Sequence, residues 1–126
     1  MIVLHEITGV VMAGQKRGKT LGFPTANLLL TEDIPEGIYA ATVTIKNKLY
    51  QAATFIGNAK TFNESDKKAE SYIFDFDQTI YGEEITVKLY QKIRNNQNFS
   101  SVEELVSQMI EDVKNITKFF KENLTD

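Results

Sequence analysis

The hydrophobic pattern of this chain changes its period once, near residue 100. Before that point, β-branched and aromatic residues form short runs separated by turn residues, which is typical of strands. After it, apolar residues recur at helical spacing, namely Val102, Leu105, Val106, Met109, Ile110, Val113, Ile116 and Phe120. Short strands followed by one amphipathic helix predict a mainly β fold, in which a closed barrel carries the helix on its outside or across one end.

The runs can be placed along the chain. Strands are predicted over residues 7–13, 26–30, 38–45, 49–55, 69–76 and 85–93. Turns are expected at residues 33–37, 46–48 and 80–82, and a polar, mobile segment at 63–68. The helix is expected from about residue 102 to about 122, and the run Ser101-Val102-Glu103-Glu104 offers a capping box at its start.

Composition limits the class of protein. A chain of 126 residues is expected to form one domain over residues 1–126. The absence of cysteine excludes disulfides, a thiolate nucleophile and thiolate metal sites, and it fits a reducing cytoplasm. A net charge of −3 disfavours nucleic-acid binding by bulk attraction, and no apolar run approaches a membrane span. We therefore expect a cytoplasmic protein without nucleic-acid or membrane partners, with a monomer as the default state.

The densest group of chemically useful residues lies in the segment 14–27. Its glycines are Gly14, Gly18 and Gly22, and its cations are Lys16, Arg17 and Lys19. Glycines allow backbone N–H groups to approach an anion closely, and the cations add positive charge. Thr25 and Asn27 follow Pro24 and offer oxygen ligands of the kind that Mg²⁺ accepts. The segment therefore predicts a site for phosphate and magnesium.

Other interpretations of this segment remain open on chemistry alone. The spacing from Gly14 to Lys19 is one residue shorter than a P-loop requires, and no βαβ pattern supports a dinucleotide fingerprint. A glycine-rich hairpin between two strands explains the same residues equally well. Asn27 could likewise serve only to satisfy backbone groups at the end of a strand.

The longer string Gly22-Phe23-Pro24-Thr25-Ala26-Asn27 resembles the signature of riboflavin kinases. Further runs occur in the family's order, namely Pro35-x-Gly37-Ile38-Tyr39, Ile56-Gly57 with Thr61-Phe62, Ala69-Glu70-x-x-Ile73-Phe74-Asp75-Phe76, Tyr81-Gly82, Ile93-Arg94 and Phe99. The resemblance extends over about residues 8–113. It implies a single riboflavin kinase-like domain, a six-stranded antiparallel Greek-key β-barrel with a long C-terminal helix, similar to the kinase half of bacterial bifunctional enzymes.

The resemblance also implies a reaction and a role for each matching residue. The reaction is ATP-dependent phosphorylation of the riboflavin 5′-hydroxyl, giving FMN and ADP, with Mg²⁺ or another divalent cation. The ATP phosphates would be bound by Gly14, Lys16, Arg17, Gly18, Lys19, Gly22, Phe23, Pro24, Thr25 and Asn27. Thr25 and Asn27 would also bind the metal, Glu70 would be the catalytic base, and Arg94 with Phe99 would bind the flavin. Without the resemblance, the pattern would indicate that Glu70 is a solvated strand residue and that Phe99 is a hydrophobic residue packed at the start of the helix.

The chain departs from the family pattern at four places. Lys60 replaces a proline before Thr61, Phe55 replaces an asparagine, and Tyr72 replaces a histidine. The family's Arg-x-Glu becomes Arg94-Asn95-Asn96, which removes a carboxylate that would act as a hydrogen-bond acceptor on the flavin side. Thr25, Asn27 and Glu70 are unaffected by these changes.

Two further functions stay open: the missing carboxylate after Arg94 and the short chain motivate the first, and the frequent binding of nucleic acid by small barrels motivates the second. A non-catalytic flavin- or FMN-binding regulator on the same barrel would bind flavin without consuming ATP. A small barrel that binds single-stranded nucleic acid is disfavoured by the acidic net charge and by the lack of a basic stripe with interleaved aromatic residues.

Overall fold

The computed structural model describes residues 1–12, 25–58 and 67–123. Within these ranges the chain forms six strands and one helix, which we label in chain order. They are β1 (His5–Val10), β2 (Thr25–Leu29), β3 (Gly37–Ile45), β4 (Lys48–Asn58), β5 (Lys67–Ile73), β6 (Glu84–Arg94) and α1 (Val102–Asn123). The predicted mainly β fold with a C-terminal helix is confirmed.

The strands form one antiparallel sheet in the order β1-β6-β3-β4-β5-β2. The sheet curls until its two outer strands approach each other, and an isolated bridge joins Met12 to Asn27 through a backbone hydrogen bond of 2.9 Å. Register shifts between β3 and β6 add local twist where the sheet bends. Strands that are distant in sequence therefore become neighbours, as the Greek-key prediction requires.

One face of the curled sheet encloses the main core. Because side chains alternate between faces along a strand, every second residue points inward. The inward residues include Ala26, Leu28, Val43, Ile56, Ala69, Ile85, Val87 and Leu89. Thr54 and Ser71 pair inside this core, with their hydroxyl oxygens 2.8 Å apart. Apolar burial on this face holds the strands together and leaves the opposite face free for a second layer.

Helix α1 covers part of that opposite face. Ile116 and Phe120 are fully buried, and they pack with Ala40 of β3. The ring of Phe120 meets the ring of Tyr90 edge to face, with centroids 5.7 Å apart. Central strand β3 is consequently buried on both of its faces, which explains its nearly unbroken run of apolar residues.

The start of α1 is capped as predicted, with one difference. Ser101 Oγ accepts a hydrogen bond of 3.2 Å from the backbone N–H of Glu104. The carboxylate of Glu104 reaches back to Ser100, from which it accepts bonds of 3.2 Å from N–H and 2.8 Å from Oγ. The reciprocal half of the capping box therefore involves Ser100 instead of Ser101.

Several predicted strand ends were wrong by a few residues. Strand β1 ends at Val10, three residues before the predicted end, and β5 ends at Ile73 because a turn follows, with Asp75 at a φ of 56°. Phe74 in that turn is still buried against α1, so its apolar character resembles that of a strand residue. Lys67 and Lys68, predicted to belong to a mobile segment, begin β5. The rest of that segment, residues 63–66, lies outside the described residues.

The predicted turn at residues 46–48 is a two-residue hairpin. Lys46 and Asn47 have φ values of 48° and 66°, as the favoured twist of such a turn requires. Among the described residues, no helix has the length and apolarity that a membrane crossing needs.

Candidate active site

The pairing of β2 with β5 brings together residues that the sequence separates by about 45 positions. Asn27 lies directly opposite Glu70, and Thr25 lies opposite Tyr72. Residues that face each other in an antiparallel pair point to the same side, as do residues two apart on one strand. All four side chains therefore share the face of the sheet that is turned away from the main core. Thr25 Oγ1 donates a hydrogen bond of 3.0 Å to Glu70 Oε1.

Asn27 presents an unusual buried group on this face. Its side chain is 3% exposed, and among the described residues its Oδ1 has no hydrogen-bond partner. Buried acceptors without a partner are rare in proteins, and each one requires an explanation, such as an ion. Together with the hydroxyl of Thr25, this oxygen would offer hard ligands of the kind that Mg²⁺ accepts.

Glu70 is held on both of its oxygens. Oε1 accepts the bond from Thr25, and Oε2 lies 3.5 Å from the ammonium of Lys68. These two contacts fix the orientation of the carboxylate while leaving lone pairs that can accept a proton from an alcohol. Sequence reasoning did not select Lys68, because only the register of β5 shows that it shares a face with Glu70.

A cavity of about 650 Å³ lies between this face of the sheet and the start of α1. Thr25 and Glu70 line it from β2 and β5, whereas Arg94 lines it from β6. Strands β5 and β6 are separated by β4 and β3, three strand spacings or roughly 14 Å along the sheet. The walls between them are mainly apolar, with Ile38, Ala53, Phe55, Tyr72, Leu105 and Met109. The cavity therefore suits an elongated ligand with an apolar body.

The β6 side of the cavity contains an ion pair. Arg94 Nε and Nη2 donate to Asp112 Oδ1 and Oδ2, both at 2.8 Å. Gln108 Nε2 donates a further bond of 3.0 Å to Asp112 Oδ1. The guanidinium carbon of Arg94 lies 5.9 Å from the ring centroid of Phe99, within range for a cation–π contact. The two residues predicted for the flavin site are thus in contact with each other.

Three of the four departures from the family pattern lie at the cavity. Phe55 and Tyr72 both line the cavity, and Asn96 donates a bond of 3.1 Å from Nδ2 to the carbonyl of Ile56. Arg94 is paired with Asp112 of α1, but both oxygens of Asp112 are engaged by Arg94 and Gln108, so this carboxylate does not replace the flavin-side acceptor that residues 95–96 lack. Lys60 lies outside the described residues.

Sequence reasoning missed Asp112 and Gln108, although one signal was available. Asp112 is three residues after Met109 and four before Ile116, so it lies on the buried face of an amphipathic helix. A carboxylate at such a position requires a buried cationic or hydrogen-bonding partner. Gln108, one turn earlier, supplies one of the bonds.

Burial also affects two tyrosines, Tyr72 in the cavity wall and Tyr39 in the main core. It raises the pKa of Tyr72, and the negative charge of Asp75 adds to that rise. Burial likewise raises the pKa of Tyr39, against a smaller lowering by Lys67, and its hydroxyl donates a bond of 2.7 Å to the carbonyl of Pro35. The Tyr72 side chain that lines the cavity is therefore a neutral phenol at physiological pH.

Most of the predicted phosphate-binding residues cannot be located. Gly14, Lys16, Arg17, Gly18, Lys19, Gly22, Phe23 and Pro24 lie outside the described residues. The described chain resumes at Thr25, at the edge of the cavity.

Comparison with known proteins identifies the family. A family model described as riboflavin kinase matches residues 2–120. This chain belongs to the riboflavin kinase family. The predicted family is therefore confirmed by a match that extends over nearly the whole chain.

Similar proteins include two from Bacillus subtilis. One, named bifunctional riboflavin kinase/FMN adenylyltransferase, is 35% identical over 92% of this chain and 39% of its own length. The other, named RNA-binding riboflavin kinase RibR, is 33% identical over 91% of this chain and 51% of its own length. The chain spans 18%, 39% and 51% of the length of three curated relatives that it matches.

A solved structure supports the fold. The riboflavin kinase of Trypanosoma brucei has a TM-score of 0.70 to this chain at 24% identity, with 94% of this chain and 81% of that chain covered. At this identity the likeness concerns the fold alone. The roles predicted for individual residues, the single domain over residues 1–126 and the metal stay predictions.

Proposed function

We propose that this chain transfers the γ-phosphoryl group of ATP to the 5′-hydroxyl of riboflavin, giving FMN and ADP. The observation that carries the proposal is the hydrogen bond between Thr25 and Glu70, beside the unpaired oxygen of Asn27. These groups line or adjoin one side of an apolar cavity whose other side contains Arg94 and Phe99. Riboflavin has a matching form, with a flat ring at one end and a primary alcohol at the other.

Glu70 is the proposed general base. The ribityl oxygen attacks the γ-phosphorus, so an oxygen–phosphorus bond forms and the bond to the β-phosphate oxygen breaks, releasing ADP. The alcohol proton passes to the Glu70 carboxylate. The hydroxyl of Thr25 and the ammonium of Lys68 hold this carboxylate in one orientation, so it needs little reorientation before it accepts the proton.

Thr25 and Asn27 would hold the divalent cation. When bound, Mg²⁺ neutralises charge on the phosphate oxygens and lowers the barrier to transfer. The buried oxygen of Asn27 gains a partner in that state, which gives a reason for its lack of one among the described residues. The glycines and cations of residues 14–22 are expected to bind the nucleotide phosphates.

The ring of riboflavin is proposed to occupy the β6 side of the cavity. Apolar walls there exclude water from the ring faces, and Arg94 offers hydrogen bonds to ring carbonyl oxygens. The regulator alternative was motivated by the missing flavin-side carboxylate after Arg94 and by the short chain. It is not favoured, because the matching family model and the relatives are named as riboflavin kinases and because Thr25, Asn27 and Glu70 are all present.

The test is direct. Protein, riboflavin, ATP and Mg²⁺ are incubated together and FMN is measured by chromatography. Glu70→Gln is expected to lower kcat by about 10²–10⁴-fold while both KM values change little, because the amide cannot accept the proton. Glu84→Gln, which alters an exposed carboxylate at the start of β6, is the matched control and is expected to behave as wild type. Absence of FMN with the wild-type protein across several divalent metals would refute the proposal.

Three further expectations belong with this proposal: a cytoplasmic location, a monomeric state and no nucleic-acid partner. The last is the most informative to test, because one relative is named as RNA-binding. Filter binding at moderate salt measures it, and weak, salt-sensitive retention of RNA is the expected result for a chain with net charge −3.

A further inference from the structure

Asp112 is a buried carboxylate to which the proposed reaction gives no role. It is 3% exposed and lies on the face of α1 that packs against the sheet. Three hydrogen bonds reach it, two from Arg94 and one from Gln108. A charge in such a place requires this degree of pairing, because an isolated buried carboxylate is strongly unfavourable.

The pairing determines what Arg94 can offer to a ligand. A guanidinium has five N–H donors in a rigid plane. Within the described residues three of them are used, two by Asp112 and one, from Nη1, by the carbonyl of Asn95 at 3.1 Å. Two donors remain, one on each terminal nitrogen. Because the bond to Asp112 is bidentate, it fixes the plane of the guanidinium and so the directions of the remaining donors.

The guanidinium of Arg94 also contacts a second wall of the cavity. The guanidinium lies 5.9 Å from the ring centroid of Phe99, which belongs to the segment joining β6 to α1. A guanidinium that is held in one plane gives this ring a fixed surface to pack against. The negative charge of Asp112 also balances Arg94, so this side of the cavity favours a neutral ligand with carbonyl acceptors over an anion.

The structure assigns Asp112 a positioning role: through Arg94 it orients the side of the cavity that receives the riboflavin ring, and thereby sets riboflavin affinity independently of the ATP site. This inference rests on the proposed function. Asp112 is separated from Glu70 and Thr25 by the width of the cavity, so its loss is expected to act on riboflavin binding and not on proton transfer. Gln108 supports the same arrangement through its bond to Asp112.

The experiment measures riboflavin binding by quenching of flavin fluorescence, together with both KM values and kcat. For Asp112→Asn we expect the riboflavin Kd and KM to rise about 10-fold, because one charge-assisted bidentate contact is lost. The KM for ATP and the kcat at saturating riboflavin are expected to stay within about 3-fold of wild type. In an Arg94→Gln background, Asp112→Asn is expected to change the riboflavin Kd by less than about 2-fold, because the guanidinium through which Asp112 acts is already absent.

Two further variants separate positioning from general loss of structure. Ile116→Val trims a fully buried side chain one turn further along α1, without touching Arg94, and its riboflavin Kd is expected to match wild type. Gln108→Leu removes one bond to Asp112 while retaining the ion pair, and a rise of about 2–3-fold is expected. This second variant carries the test if Asp112→Asn does not fold.

Three results would overturn the inference. The first is unchanged riboflavin binding in Asp112→Asn, or in Gln108→Leu if Asp112→Asn does not fold, and the second is an equal rise in the KM for ATP and the KM for riboflavin. The third is an undiminished effect of Asp112→Asn in the Arg94→Gln background, which would mean that Asp112 touches the ligand itself. Wild-type protein that binds no riboflavin would refute both proposals. Wild-type protein that makes FMN, combined with a variant that binds riboflavin equally well, would refute only this one.

Discussion

Replacing Asn27 with leucine is expected to make the ligand-free protein more stable. The side chain is buried, and among the described residues its oxygen has no hydrogen-bond partner. Leaving a buried acceptor unsatisfied costs about 1–3 kcal/mol, whereas a leucine of similar size has no polar atom to desolvate. Taking the lower part of that range, we expect the free energy of unfolding to rise by about 1 kcal/mol, which corresponds to about 3–5 °C in Tm for a chain of this size.

Binding of Mg²⁺ and ADP is expected to make the wild-type protein more stable than Asn27→Leu. Mg²⁺ with ADP at 100 times its Kd stabilises a protein by about 2.7 kcal/mol through mass action. The wild-type chain should gain this amount, and Asn27→Leu should gain little, since it lacks the proposed metal ligand. Thermal or urea unfolding followed by far-UV circular dichroism, with and without Mg²⁺ and ADP, measures both effects on the same samples.

Thr54→Val is the matched control. It also removes a buried polar group, but that group is paired with Ser71 at 2.8 Å, so the change leaves a hydroxyl without its partner. We expect it to lower stability by about 1–3 kcal/mol and to leave the ligand-induced gain intact. The reasoning is refuted if Asn27→Leu destabilises the ligand-free protein as Thr54→Val does, or if it keeps the full gain from Mg²⁺ and ADP.

Two further predictions concern the cavity and the tyrosines. In Gly57→Ala the new Cβ would lie 2.5 Å from the ring of Phe55, so that ring must move. We expect the KM for riboflavin to rise several-fold while the KM for ATP stays unchanged. A KM for riboflavin equal to that of the wild-type protein would contradict this. Burial raises the pKa of Tyr39 and Tyr72, so the part of an alkaline titration at 295 nm that Tyr39→Phe or Tyr72→Phe removes should lie above about pH 10. Their contribution to stability is then fully present below about pH 10 and is lost as the pH rises through the raised pKa values. Ionisation of these two tyrosines at the ordinary value of about 10 would disprove it.

The sequence by itself determined the element types and the family. Alternating β-type runs and the apolar stripe of α1 are local patterns, because side-chain direction repeats every two residues in a strand and every 3.6 in a helix. The runs around Thr25, Asn27 and Glu70 carried the resemblance that named the residues of the candidate site. Strand ends were less accurate, because a buried turn residue such as Phe74 has the same composition as a strand residue.

Only the tertiary structure decided which of these residues meet. Asn27 lies opposite Glu70 because β2 pairs with β5 in one particular register, and a shift of one residue would turn one of them to the other face. The contact of Asp112 with Arg94 likewise depends on where α1 crosses the sheet. Local periodicity specifies the face on which a residue lies within its own element, but strand order and helix placement are set by burial over the whole chain, and those long-range contacts bring the two sides of the cavity together.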